Sequence, residues 1–186
     1  FTADLMAETL SRTAARAWQP GSRVNLERSV TPATRLGGHL VQGHVDGIGT
    51  ITGYRANDRY DDVAITVPRA LGRYLAPKGA VAVDGISLTV IDVTDHDGEG
   101  TGADDGTTTF TLGIIPATRA ATTLGQRSAG DRVNIEVDVM AKYAERLLVA
   151  RLRGDASADR ATSSSEPAGP AGDAGDEPGD RRDLKW

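Results

Sequence analysis

The stretch Ala80–Val93 reads AVAVDGISLTVIDV, two alternating apolar runs separated by the pair Asp84 and Gly85. An Asp-Gly pair between such runs predicts a tight hairpin, because a type I′ turn requires positive φ at both central residues. Successive side chains of a strand point to opposite faces, so the apolar residues of the second run share one face. Ser87 and Thr89 then lie together on the other face, and the hairpin carries two hydroxyls side by side.

Further strand signals surround this hairpin. Residues 62–67 alternate apolar with small or polar side chains, which is the period of a half-buried strand. Several short strands with turn signals and few helices predict a small closed or nearly closed barrel. Residues 94–109 carry no large apolar side chain, and we expect a long flexible hairpin loop there. The acids of this segment lack the ordered ligand spacing of a calcium loop, so a plain loop is favoured over a metal site.

The chain also contains one five-residue motif twice, and each occurrence is here called a repeated word. Residues 23–27 read RVNLE and residues 132–136 read RVNIE, an offset of 132 minus 23, or 109. At that offset the match extends without gaps, with Gly21 facing Gly130 and Thr13 facing Thr122. A repeat with the period of a small domain indicates a duplicated unit, and we expect each word to form the last strand of its copy.

The two copies differ in what precedes them. The second follows a domain's worth of strand-like sequence, whereas the first opens directly at Phe1. We therefore expect residues 1–34 to be the end of a truncated N-terminal barrel and residues 35–138 to be a complete C-terminal one. Residues 139–153 show the apolar stripe of an amphipathic helix. Residues 154–186 are rich in Gly, Ala, Ser, Pro and Asp, and a disordered tail is expected.

Composition narrows the class of protein. The 186 residues have a formal net charge of −5, which argues against a nucleic-acid binder. Cysteine is absent, so disulfides and thiolate chemistry are excluded. No apolar run approaches the roughly 20 residues of a membrane-spanning helix, and no signal peptide pattern is seen. A cytoplasmic protein is the expectation.

The densest polar and glycine-rich stretch is RLGGHLVQGHVDGIG, residues 35–49. Its two histidines, His39 and His44, are five positions apart and would point to opposite faces of a strand, so one metal could not bind both. Buried hydrogen bonding is their simpler explanation. Lys78 is expected to be solvated and Asp138 to cap the following helix. These residues by themselves predict a duplicated barrel with a polar strand face, without establishing an enzyme.

Four motifs in this order resemble the C-terminal half of the α-type, trimeric riboflavin synthase family: RLGGHLVQGHVDG, KGAVAVDGISLTV, IIPATRAATTLG and GDRVNIEVDVMAKYAERLL. The opening FTADLMAETLSRT and PGSRVNLER resemble the last third of that family's N-terminal barrel. The resemblance covers residues 1 to about 150 apart from 94–109. It implies an all-β fold, a six-stranded Greek-key-type closed barrel with a C-terminal α-helix, preceded by a partial copy of the same barrel.

The resemblance also implies an activity. The family are transferases that dismutate two molecules of 6,7-dimethyl-8-ribityllumazine to riboflavin and 5-amino-6-ribitylaminopyrimidinedione, without cofactor or metal. In the family the site lies between the N-terminal barrel of one subunit and the C-terminal barrel of the next, within a homotrimer. Association with lumazine synthase is a further implied partnership.

The family's site residues map onto two sets in this sequence. The C-terminal pocket would be lined by Gly43, His44, Val45, Lys78, Ser87, Leu88, Thr89, Ile115, Pro116, Ala117, Thr118, Arg119 and Ala120. The N-terminal pocket would be lined by Asp4, Leu5, Met6, Ala7, Glu8 and Thr9. The resemblance makes His44, Ser87 and Asp138 the candidates for proton handling, with Lys78 as a cation near the ring carbonyls.

One departure and two alternatives accompany this interpretation. The family's opening Phe-Thr-Gly motif and its first Asn-Gly hairpin do not precede residue 1, so we expect the chain to bind a lumazine yet to lack a complete two-substrate site. A non-catalytic lumazine- or flavin-binding antenna protein shares the barrel but tends to lose the C-terminal contacts, which are complete here. A flavin-dependent reductase would need a glycine-rich nucleotide-binding βαβ unit, and none follows the barrel.

Overall fold

The computed structural model describes residues 3–98 and 105–163, with side chains as far as Leu152. Six antiparallel strands close into a barrel in the order β1-β2-β5-β4-β3-β6. The strands are β1 (Gly47–Arg55), β2 (Asp61–Pro68), β3 (Ala80–Val83), β4 (Ile86–Asp97), β5 (Gly106–Ile114) and β6 (Arg132–Val137). Because β5 inserts between β2 and β4, the connections are not simply sequential. The expected six-stranded closed barrel is confirmed.

The inward face of every strand supplies the core. In β2 the buried positions alternate strictly, and Val63, Ile65 and Val67 are at most 1% exposed. Phe110 of β5 is the largest fully buried side chain of the described residues. Each such side chain contributes about 1.5–3 kcal/mol by leaving water, so the alternating pattern read from the sequence is also what stabilises the barrel.

The Asp-Gly hairpin forms as predicted. Asp84 has φ 47° and Gly85 has φ 81°, and Val83 pairs with Ile86 across the turn. Ser87 and Thr89 are both exposed on the outer face of β4. The local turn chemistry thus sets the register that places the two hydroxyls together.

The prediction of a loop at 94–109 is wrong at both ends of that segment, residues 94–97 and 106–109. Strand β4 continues to Asp97 and β5 begins at Gly106, and the two pair as far as Asp97 with Gly106. Ladder hydrogen bonds and polar cross-strand contacts hold this extension where large apolar side chains are scarce, such as Thr108 Oγ1 to Asp95 Oδ1 at 2.6 Å. Arg69 adds ion pairs to Asp95 and Asp97. Residues 99–104 lie outside the described part of the chain.

The repeat is reproduced in three dimensions. Helix α1 (Ala7–Arg12) and the 3-10 turn Ala14–Ala17 recur as α3 (Pro116–Ala121) and Thr123–Gln126, each shifted by 109 positions. A four-residue helix, α2 (Arg69–Gly72), lies between the copies in sequence.

The two repeated words nevertheless differ in structure. RVNIE lies in β6, between β1 and β3, whereas RVNLE at 23–27 is not in a strand. The expectation of two equivalent strands is therefore wrong. A strand needs neighbours for its hydrogen bonds, and the described residues place no other strand beside the first word. That residues 1–34 end a truncated barrel stays a prediction.

Helix α4 (Val139–Ser163) begins where predicted and continues past the predicted end at 153. Residues 154–163, where a disordered tail is expected, are therefore helical. The rest of the expected tail, residues 164–186, lies outside the described part of the chain. The compact unit that holds the barrel ends at Arg146, and a second unit begins at Leu147. Among the described residues, no helix has the length and apolar character needed to cross a membrane.

Candidate ligand-binding site

A row of three paired residues runs across the outer face of the barrel. Ser87 of β4 pairs with Ala82 of β3, and Ala82 pairs with Glu136 of β6. Residues paired across a sheet point to the same side, so all three face away from the core. Ala82 and Glu136 are nevertheless buried. The cover comes from residues 38–43, here called the strap, which hydrogen-bond to both ends of the row.

The first end of the strap contacts Ser87. The His39 backbone N–H lies 3.3 Å and His39 Nδ1 lies 2.8 Å from Ser87 Oγ. A Cβ at Gly38 would overlap Ser87 Oγ, so glycine is needed for this close approach. His39 Nε2 is buried with no hydrogen-bond partner. The hydroxyl that the resemblance assigns to the ligand is therefore occupied by a histidine in this structure.

The second end of the strap is held by a carboxylate. The backbone N–H groups of Gln42 and Gly43 donate to Glu136 Oε1 and Oε2, at 2.8 and 3.0 Å. A few residues on, Asp46 Oδ2 accepts the Val137 N–H at 2.9 Å and Asp46 Oδ1 pairs with Lys142 Nζ at 2.7 Å. Residues 43–45 thus lie between two carboxylate anchors, Glu136 on β6 and Asp46 against its end.

The sheet register brings the backbones of Lys78, Thr89 and Asp138 close together at the start of β3. Thr89 pairs with Ala80, and the Lys78 N–H donates to Val90 O at 2.8 Å. Asp138 comes one residue after Val137, which pairs with β3. Asp138 Oδ1 accepts the Met140 N–H at 3.0 Å, so the predicted cap of α4 is confirmed.

Helix α3 follows β5 and is tied to the barrel through Asp61, whose side chain is only 1% exposed. Asp61 accepts a hydrogen bond from Tyr54 Oη at 2.7 Å and pairs with Arg119 Nη1 at 2.9 Å. The hydrogen bond from Tyr54, together with Arg119 and the Asn57 N–H, lowers the pKa of Asp61. Burial and the hydrogen bond to Asp61 raise the pKa of Tyr54 to about 12.

A cleft of about 740 Å³ lies where the strap, residues 23–30, the β3–β4 turn and the end of α3 meet. Of the predicted site residues, Gly43, Ser87 and Ala120 line it. The cleft lining does not include His44, Val45, Lys78, Leu88, Thr89, Ile115, Pro116, Ala117, Thr118, Arg119 or Asp138. Most of the predicted C-terminal set thus lies outside this cleft, and Leu88 packs against the core instead.

The N-terminal set is not brought to this region. Asp4, Leu5, Met6, Ala7 and Glu8 are exposed around the start of α1, with Thr9 partly buried, and none lines the cleft. Sequence reasoning expected the two sets in separate barrels, and the structure keeps them apart within this chain.

Three residues of the region were missed by sequence reasoning: Glu136, His39 as a partner of Ser87, and Asp61. Glu136 gave no signal of burial, since a polar residue between Ile135 and Val137 fits the ordinary alternation of a half-buried strand. Glu136 and Ser87 are far in sequence from the strap residues that contact them, and Arg119 is far from Asp61, so no local pattern marks these contacts. Among the residues that the structure describes, no group of three or more His, Cys, Asp or Glu side chains could hold a metal ion.

The closed barrel belongs to a known class of domain, since residues 42–138 match the family model of the lumazine binding domain. The riboflavin synthase of Mycobacterium tuberculosis (strain ATCC 25618 / H37Rv) is 49% identical over 148 residues, covering 80% of this chain and 69% of that protein. Those of Photobacterium phosphoreum and Bacillus subtilis (strain 168) are 45% and 37% identical, each match covering 80% of this chain and 63% of the relative. The chain belongs to the riboflavin synthase family, which is a family of transferases.

Solved structures agree on the fold. LumP complexed with 6,7-dimethyl-8-(1'-D-ribityl) lumazine superposes with a TM-score of 0.56 at 19% identity, covering 71% of this chain and 64% of LumP. LumP complexed with riboflavin gives the same TM-score at 21% identity, covering 70% of this chain and 64% of LumP. At such identities the likeness supports the barrel and carries no statement about ligand contacts.

Proposed function

We propose that this chain provides the C-terminal lumazine-binding half of a riboflavin synthase. The reaction transfers a four-carbon unit between two molecules of 6,7-dimethyl-8-ribityllumazine, giving riboflavin and 5-amino-6-ribitylaminopyrimidinedione. The observation that carries the proposal is the 49% identity to mycobacterial riboflavin synthases across the complete barrel. A cytoplasmic location is part of the proposal.

The chemistry asks little of the protein beyond placement. The C7 methyl of the substrate can lose a proton to give a delocalised anion, so orientation of two rings and weak acids and bases nearby are what the site must supply. Ser87, His44 and Asp138 are proposed to handle protons, and Lys78 to lie near the ring carbonyls. Support comes from the shared face of Ser87 and Thr89 and from the closeness of the Lys78 and Asp138 backbones to Thr89.

The proposed binding set keeps the predicted residues of both copies. The C-terminal residues are Gly43, His44, Val45, Lys78, Ser87, Leu88, Thr89 and Ile115 to Ala120. Asp4 to Thr9 would serve a second pocket, separate from the first. In the family the two sets meet only between subunits, so their separation within this chain is expected. We expect binding of one lumazine per chain, and little turnover because the described residues before 35 form no strand that would support the N-terminal pocket.

Two measurements test this proposal. Titration of the chain with 6,7-dimethyl-8-ribityllumazine should show saturable binding, whereas riboflavin formation should be far slower than with a mycobacterial relative assayed in parallel. Turnover near that of the relative would contradict the incomplete site. Absence of binding would contradict the function itself.

Assembly is the remaining part of the proposal. Helix α4 exposes an apolar stripe: Met140, Tyr143, Leu147, Leu148 and Leu152. Such a stripe on a surface helix favours packing against another copy, and we propose the homotrimer that the family resemblance implies. Association with lumazine synthase is proposed on the resemblance alone and is tested by co-sedimentation of the two purified proteins.

A further inference from the structure

Glu136 is a buried charge in an unexpected place. It lies on the outer face of β6, where strand side chains usually meet water, yet it is only 6% exposed. Both carboxylate oxygens accept backbone N–H groups of the strap. Within the described residues no Lys, Arg or His forms an ion pair with it. Two peptide groups therefore compensate this charge, and hydrogen bonds to a charged acceptor are the strong kind.

The fold of the strand does not require this carboxylate. Strand β6 is paired through its backbone with β1 and β3. The equivalent residue of the first copy, Glu27, is exposed and forms no side-chain hydrogen bond among the described residues. The burial of Glu136 thus serves the contact with the strap. The two N–H groups of the strap offset the free-energy cost of removing the carboxylate from water.

The Glu136 carboxylate holds the backbone at the start of a predicted site segment, residues 43–45. Gly43 has φ 75°, and His44 and Val45 follow it directly. We propose that Glu136 is a positioning residue that fixes the Gln42–Gly43 backbone, and through it His44, beside the ligand-binding face. This inference rests on the proposed function.

The other end of the strap is held differently. His39 contacts Ser87 through one hydroxyl, with no carboxylate involved. A ligand that takes the Ser87 hydroxyl must displace His39, while the two bonds to Glu136 can remain. A ligand can therefore displace the His39 end of the strap from Ser87, while the Gly43 end stays bound to Glu136.

The test compares Glu136→Gln with Glu136→Asp and with the control Asp92→Asn, an exposed acid on β4. The amide of Glu136→Gln turns an NH₂ donor toward one of the two N–H groups, so one bond is lost. The shorter side chain of Glu136→Asp keeps the charge but retracts it from the strap. Dissociation constants for 6,7-dimethyl-8-ribityllumazine are measured well below the unfolding temperature of each variant. About tenfold weaker binding is expected for Glu136→Gln, since the strap must then be ordered on binding.

Amide hydrogen exchange gives the second readout. In both Glu136 variants exchange should accelerate at Gln42 and Gly43 and stay unchanged at core amides such as that of Val63. Asp92→Asn should match the wild type in both measurements. Wild-type affinity in a folded Glu136→Gln chain would overturn the positioning role, as would a lowered unfolding temperature with an unchanged dissociation constant.

The two proposals fail in different ways. A wild-type chain that does not bind the lumazine would sink the proposed function, and with it the link to a ligand. Slow exchange at Gln42 and Gly43 in the wild type that persists in Glu136→Asp and Glu136→Gln would show that the carboxylate does not hold the strap at all.

Discussion

Two asparagines at equivalent positions of the repeat join the two copies. Asn134 Oδ1 accepts the Ala14 N–H at 2.7 Å, and Asn25 Oδ1 accepts the Thr123 N–H at 2.8 Å. The offset of 109 relates Ala14 to Thr123 as it relates Asn25 to Asn134. Each copy thus caps the 3-10 turn of the other, which explains at the level of single residues why both words contain Asn.

Replacing Asn25 with Ala should lower the free energy of unfolding by about 1–3 kcal/mol, because a part-buried N–H loses its acceptor. Asn134→Ala should cost a similar amount. Urea denaturation measures both, with the exposed Asn57→Ala as a control expected within about 0.5 kcal/mol of wild type. An Asn25→Ala chain as stable as the wild type would show that the hydrogen bonds between the two copies do not contribute to the free energy of unfolding.

The hydrogen-bonded pair of the partly buried Tyr54 and the buried Asp61 predicts a pH dependence. The folded-state pKa of Tyr54 is raised from 10.0 to about 12, so the neutral phenol is favoured by folding. That stabilisation is present below pH 10 and is lost as the pH rises from 10 to about 12. In Tyr54→Phe the free energy of unfolding should fall less steeply as the pH rises above 10. Circular dichroism at a fixed urea concentration, recorded across this pH range, measures the difference. An unchanged slope would contradict the assignment.

Asp61 predicts the opposite dependence on pH. Its pKa is lowered, chiefly by the hydrogen bond from Tyr54, so its contribution is present above the ordinary pKa of a carboxyl and is lost as the pH falls through the lowered value. Asp61→Asn should therefore be less stable than the wild type at neutral pH, and its free energy of unfolding should change less as the pH falls. Measurement of the unfolding midpoint between neutral and acid pH checks this, with the exposed Asp58→Asn as a control.

At the scale of the element, the β3–β4 hairpin depends on its turn. Gly85 has φ 81°, and a Cβ at this position would meet no other atom within 4 Å, so any cost of Gly85→Ala is conformational. A left-handed conformation costs about 1–2 kcal/mol for a residue other than glycine. Gly113→Ala in β5, where a Cβ would make only ordinary contacts, is the matched control. Equal stability of the two variants by thermal unfolding would argue against the turn.

At the scale of the whole molecule, α4 predicts self-association. Leu147 is 71% exposed on the helix, and a charge there should abolish packing against another copy without disturbing the barrel. Leu147→Glu is expected to sediment as a monomer in analytical ultracentrifugation, whereas Arg151→Gln, also exposed, should behave as the wild type. Trimers of Leu147→Glu would exclude this stripe as the contact.

The sequence by itself determined the barrel, the Asp-Gly hairpin, the repeat, the cap at Asp138 and the family. Each of these follows from local alternation, turn residues or identity, which are written in consecutive positions. The prediction failed at residues 94–109, where cross-strand hydrogen bonds replace large apolar side chains, and at the first repeated word, whose strand character depends on neighbours.

Only the tertiary structure decided what covers the polar face. The strap over Ser87 and Glu136, the exchange between Asn25 and Asn134, and the anchoring of α3 on Asp61 join residues that are 48 to 120 positions apart. Hydrogen bonds of this kind depend on where the closed barrel brings distant segments together. No periodicity or spacing in the chain records that proximity.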